Sequence, residues 1–158
     1  MSRTRSRQRR QAPTWPAEKR SIRVLIEHPD PVARDTLANA IRGHGYEVVA
    51  CGGPEPASEP AASCPLTFGA SCPGVEGADV VVSSLAIDVP TEGLVVRKLL
   101  EGGADRRIVL EATDWQVAQL PVSSEGPYQH LYPFTVGRVL LELETLPRAP
   151  VGDCRAIP

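Results

Sequence analysis

The chain has 158 residues, enough for one domain with a real core and hardly for two. With 42% hydrophobic and 23% charged residues it has the make-up of a soluble globular protein, and no apolar run approaches the roughly 20 residues needed to span a bilayer. The formal charge of −2 conceals an asymmetry: residues 1–20 hold six Arg and one Lys against Glu18, which leaves 10 basic and 18 acidic residues, near −8, for the rest. The charged N-terminus has no apolar stretch behind it, so it is not a secretory signal, and a cytoplasmic protein with mostly reduced cysteines is expected.

Residues 1–20 alternate Arg with Ser, Thr and Gln and carry no hydrophobic period, which predicts a disordered basic arm. Such an arm suits an electrostatic contact with nucleic acid, or is simply a solvated tail, with Trp15 as its one residue able to dock. The ordered domain is expected over 21–147. Ile22-Arg23-Val24-Leu25-Ile26 reads as a first strand, Asp30 as a helix N-cap and Pro31 as the first helical position. Val32, Ala33, Leu37, Ala40 and Ile41 share one face of that helix, and Tyr46-Glu47-Val48-Val49-Ala50 follows as a second strand, which makes a right-handed βαβ unit. Residues 51–76 hold five prolines and no helical period, so an irregular Cys- and Pro-rich insertion is expected.

The unbroken apolar run Val80-Val81-Val82 after Asp79 has no polar alternation and predicts a central strand buried on both faces. It ends in Ser83 and Ser84, at the sheet edge where open α/β proteins bind ligands. A short helix ending at Gly102-Gly103, a fourth strand at Arg107-Ile108-Val109-Leu110, a brief helix from Trp115 to Leu120 and a fifth strand at Tyr128-Gln129-His130-Leu131-Tyr132 follow. Val136, Val139, Leu140, Leu143 and Leu146 space as the buried face of a closing helix, and 148–158 reads as a disordered tail. The pattern predicts a flavodoxin-like, doubly wound α/β fold: five parallel strands in the order 2-1-3-4-5 with helices on both faces.

Five stretches, in order, resemble response-regulator receiver domains. They are Val24-Leu25-Ile26 before an acidic turn and Pro31, Gly45-Tyr46-Glu47-Val48-Val49, Ala78-Asp79-Val80-Val81-Val82, Pro90-Thr91-Glu92-Gly93, and Tyr132-Pro133-Phe134 where the family carries Lys-Pro-Phe. The resemblance covers residues 22–146 and implies a regulatory domain of two-component signal transduction. In that family an acidic pair holds Mg²⁺ beside a phosphoaccepting aspartate at the end of the third strand, with a hydroxyl residue and a lysine ending the next two strands. Here His28 and Pro29 stand for the acidic pair, Ser84 for the phosphoacceptor, Glu111 for the hydroxyl residue (Thr113 lies two positions on) and Tyr132 for the lysine. A hydroxyl without an adjacent base is a weak nucleophile and brings no charge to a metal. The expectation is therefore a degenerate receiver, not an enzyme, that no longer accepts phosphate and works by binding protein in signalling or transcriptional control.

The aromatic and apolar residues Tyr128, Tyr132, Phe134 and Leu141 gather around the fifth strand and last helix, where receivers dimerise or bind partners. They predict an interaction face for a protein partner or a second copy. Cys51, Cys64 and Cys72, spaced by 13 and 8, lie in or beside the insertion with His44 nearby in sequence. Three readings stay open for them: small buried hydrophobes tethering a loop, a zinc or iron–sulfur site, or a thiol redox switch. In the first reading the protein needs no cofactor. A Ser-His-Asp set from Ser84, His28 and Asp30 would share one sheet edge, but no Gly-x-Ser-x-Gly elbow accompanies it.

Overall fold

The computed structural model describes residues 12–54, 64–102, 106–120 and 128–146. Strand β1 (Arg23–Glu27) leads into helix α1 (Pro31–Gly43) and strand β2 (Glu47–Cys51). The helix starts where its signals lie: Asp30 Oδ1 accepts from the Ala33 amide at 2.7 Å, and Pro31 takes a first-turn position that needs no donor. A 3₁₀ turn (Pro65–Phe68) and helix α2 (Pro73–Glu76) precede β3 (Val80–Ser83). Then come α3 (Pro90–Glu101), β4 (Arg107–Glu111), α4 (Asp114–Val117), β5 (Tyr128–Leu131) and α5 (Val136–Glu144). All neighbouring strands are parallel and their order is β2-β1-β3-β4-β5, the predicted flavodoxin-like arrangement. Both β1 and β2 run one residue later than the sequence reading, because Glu27 and Cys51 still pair with each other in the parallel ladder.

Alternation along the strands sorts the core into two layers. Val24, Ile26, Val80, Val82 and Val109 meet Leu37 and Ile41 of α1 and Val139 and Leu143 of α5. Leu25, Val81, Ile108 and Leu110 meet Val75, Val95, Val96 and Leu99 on the opposite side. Strand β3 is therefore apolar on both faces: each of its three valines is fully buried, a gain on the order of 2 kcal/mol apiece.

The insertion and the N-terminal arm depart from expectation. Residues 51–76 are not wholly irregular, since the 3₁₀ turn and α2 lie within them; residues 55–63 fall outside the described part. No full-length helix covers that part of the sheet among the described residues, and residues 12–20 fill the space instead. Trp15 Nε1 donates to the Gly74 carbonyl at 2.8 Å, and the Arg23 guanidinium sits 5.4 Å from the Trp15 ring centroid. A Cβ on Gly77 would run into the same ring. Arg23 Nη2 donates to Pro16 O at 2.5 Å, and Lys19 pairs with Asp79 at 2.7 Å. The expectation of a disordered arm is thus corrected for residues 12–20: a large aromatic ring with an indole donor gains both burial and a carbonyl partner by docking. Residues 1–11 and the predicted tail at 148–158 lie outside the described residues. Among the described residues, no helix is long and apolar enough to cross a membrane.

Candidate functional site

The C-terminal ends of the strands form one rim. Glu27, Ser83, Leu110 and His130 lie level in register, with Cys51 beside Glu27. Ser84 falls one residue beyond β3; its amide donates to Glu27 O at 2.8 Å, while its buried hydroxyl has no hydrogen-bond partner. The loop that follows is tied down, because Glu92 Oε2 accepts from the Ala86 amide at 2.6 Å. Gly93 packs directly on the Ile87 carbonyl, leaving no room for a side chain.

The structure brings His28, Pro29, Ser84, Glu111 and Tyr132 to this rim, and most of their polar groups are already committed. His28 Nδ1 accepts from the Asp30 amide at 3.0 Å, and the exposed Pro29 offers no donor or charge. Glu111 Oε1 accepts from the Phe134 amide at 3.0 Å, which fixes the turn into α5. Tyr132 points outward, 60% exposed, at a cis peptide bond to Pro133. Thr113 closes a capping box with Gln116 at the start of α4. His28 and Asp30 contact each other but neither contacts Ser84, so the Ser-His-Asp set is not assembled. A magnesium ion held as in receivers needs carboxylates near the first and third strand ends. Asp30 is spent on its cap, Glu27 turns into the α2–α3 layer, and among the described residues no three ligating side chains surround a common point. The rim does not fit that ion.

No family model and no curated protein matches the sequence. Solved structures do match in shape. A response-regulator receiver domain protein from Bacillus halodurans superposes with a TM-score of 0.54 at 15% identity, over 79% of this chain and 96% of that one. The chemotaxis protein CheY4 of Vibrio cholerae gives a TM-score of 0.51 at 14% identity, over 79% and 98%. The response regulator TrrA of Thermotoga maritima, solved in complex with Mg²⁺–BeF, gives 0.52 at 15% identity, over 78% and 96%. The chain has the receiver fold.

Within this receiver fold, Glu27 is the residue whose environment the sequence reading missed. It is 2% exposed, and burial pushes its carboxyl up to about 7. The adjacent Ser83 hydroxyl pulls the other way, yet the two groups miss hydrogen-bonding geometry, so Oε2 and Ser83 Oγ are both buried without partners. A signal was present: Glu27 ends the apolar run of β1, and the βαβ unit places it beside Cys51. Cys51, Cys64 and Cys72 are free thiols lining one cavity with Glu27. Burial, with the Glu27 carboxylate nearby, pushes the Cys51 thiol up to about 12; burial likewise pushes Cys64 up to about 11. Protonated at neutral pH, these two are poor nucleophiles. His44 is not with them: it caps α1, its Nδ1 2.9 Å from Ala40 O.

The predicted interaction face divides. Tyr132 and Leu141 are exposed at 60% and 63%, and Trp115, on neighbouring α4, at 70%. Tyr128 and Phe134 belong to the core margins instead, each half-buried against a different layer. Their strand and turn positions alternate inward, which sequence grouping alone did not resolve.

Proposed function

We propose that this chain is a receiver-like regulatory domain that does not accept a phosphoryl group and acts in the cytoplasm by binding another protein or a second copy of itself, in signalling or transcriptional control. One observation carries this reading: the buried hydroxyl of Ser84 has no partner, and by the resemblance Ser84 stands where receivers carry the phosphoaccepting aspartate and His28-Pro29 where they carry the acidic pair. Phosphoryl transfer to such a rim would lack a carboxylate nucleophile, a metal and the cation that Tyr132 replaces. Incubation with acetyl phosphate and Mg²⁺, read by intact mass, is expected to give no adduct; a stable phosphoryl adduct would refute the proposal.

The exposed Tyr132, Leu141 and Trp115 support binding through the α4–β5–α5 face, since large apolar side chains held in water favour burial against a partner. Leu141→Glu should weaken self-association in sedimentation velocity, or partner capture if the chain alone is monomeric. Unchanged behaviour in both would remove this face from the account. The basic residues before position 12 would add a salt-sensitive contact with nucleic acid. A second reading, a metal, iron–sulfur or thiol redox sensor built on the cysteine segment, is favoured by the cavity that gathers the three thiols.

A further inference from the structure

Between the ends of β1 and β2 and the 3₁₀ turn lies a cavity of about 610 Å³. Small-molecule sites commonly span roughly 300 to 1,000 Å³ and combine apolar walls with a few placed polar groups. Here Pro13, Val49 and Pro65 are among the apolar walls, and Glu27, Arg34 and Arg42 among the polar ones. Among the described residues, three buried side-chain oxygens lack a hydrogen-bond partner: Glu27 Oε2, Ser83 Oγ and Ser84 Oγ. They gather where β1 and β3 end, with Glu27 and Ser83 level in the ladder, and Glu27 is the one that lines the cavity. Glu27 is 2% exposed. A carboxylate oxygen taken out of water is costly unless a donor reaches it, so this wall of the cavity suits N–H groups. Arg34 and Arg42 supply the opposite chemistry. Arg34 donates to the His28 carbonyl at 3.4 Å and has Asp35 at 3.9 Å; Arg42 donates to Asn39 Oδ1 at 3.1 Å and to Val48 O at 3.2 Å. A guanidinium has five donors, so these contacts leave several on each arginine for an anion. Asp35 is 72% exposed, so solvent screens much of its opposing charge.

We propose that this cavity binds a guanine nucleotide, with the edge of the base on Glu27 and the phosphate on Arg34 and Arg42. Guanine presents two adjacent donors, N1–H and the 2-amino group, and a carboxylate is an acceptor-only group with two oxygens to receive them. Adenine places an acceptor, its N1, at the same edge, where it meets the carboxylate lone pair to lone pair. Size points the same way: the volume suits a mononucleotide, whereas a single amino acid, which could also bridge a carboxylate and a guanidinium, would leave most of the walls without contact. The three cavity cysteines enter only as walls, protonated and weakly polar. The inference goes beyond the regulatory reading above and does not depend on whether Ser84 accepts phosphate.

The test is isothermal titration calorimetry of the full chain with GMP, AMP, guanosine and inorganic phosphate. Expected is saturable one-to-one binding of GMP, with AMP weaker by about tenfold or more and guanosine weaker by about tenfold. Phosphate alone should give no saturable heat. Glu27→Gln keeps the shape of the side chain but adds a donor, and should erase most of the preference for GMP over AMP. The pair Arg34→Ala and Arg42→Ala should erase the preference for GMP over guanosine while guanosine still binds, a pattern that a misfolded variant does not give. In the wild-type chain, GMP should raise the thermal midpoint more than AMP at the same concentration, a readout that does not depend on any variant folding. Absence of GMP binding, equal affinity for GMP and AMP, or an unchanged base preference in Glu27→Gln overturns the site. Phosphate binding as tightly as GMP would reduce it to a general anion contact and overturns it as well.

Discussion

Glu27 is a carboxyl taken out of water and left one bond short, and its energetics follow from that. Its folded value of about 7, against an ordinary 4.5, means that the native state holds its proton more tightly than the unfolded chain. In chelator-treated protein this stability is fully present below pH 4.5, is lost as pH rises through about 7, and then levels off. The shift corresponds to about 3 kcal/mol across that window. Denaturant melts from pH 4.5 to 8 should show that decline, and Glu27→Gln should flatten it; an equal slope in the variant would place the titration elsewhere. The same residue shows how far the sequence could be read at this scale. An ionisable side chain closing an apolar strand was visible, but its partnerless state was not, because that depends on what Ser83 and the insertion place around it.

At the scale of elements, the segment between β2 and β3 is too rich in proline for a long helix, and the N-terminal segment completes the layer instead. Trp15→Ala removes a half-buried ring, its hydrogen bond to Gly74 and the Arg23 contact, and should cost about 2 kcal/mol. The loss should come with faster proteolysis within residues 12–20; unchanged stability would mean that the docked segment adds nothing. Two glycines give opposite expectations. Gly93→Ala forces a methyl onto the Ile87 carbonyl and should destabilise by about 1–3 kcal/mol. Gly137→Ala, in α5 with open space around it, should stabilise by about 0.5–1 kcal/mol. Thermal melts of the pair check both, and matching shifts would undo the contrast. Strands and long helices were legible because their periodicity is local. That Trp15 could dock was legible too, but not where, since its partners Gly74 and Gly77 lie about sixty residues away.

For the whole molecule, the receiver fold supplies a rim at the strand ends and an α4–β5–α5 face, and the sequence adds a cluster of arginines before position 12 to an otherwise acidic chain. Deleting residues 1–11 removes Arg3, Arg5, Arg7, Arg9 and Arg10 while keeping the Trp15 contacts. The deletion should leave the unfolding midpoint unchanged and abolish salt-sensitive retention of duplex DNA in filter binding. Retention that survives the deletion would move any nucleic-acid contact onto the folded domain. Among the described residues the rim gathers no three ligating side chains, so Mg²⁺ should leave the thermal midpoint unaltered; a saturable rise would show that its carboxylates do come together on an ion.

What the sequence determined by itself was the architecture and the residue types that stand at its strand ends. A doubly apolar central strand flanked by helical periods has few ways to bury itself other than in a parallel sheet, and residue identity at strand ends is read directly from the chain. What only the tertiary structure decided was proximity. Glu27, Cys51, Cys64 and Cys72, from three separate segments, share one cavity, the leading segment seats Trp15 against Gly74 and Gly77, and two of four suspected surface aromatics and aliphatics turn inward. Those outcomes depend on packing between segments distant in sequence, and no local pattern encodes the distance across a cavity.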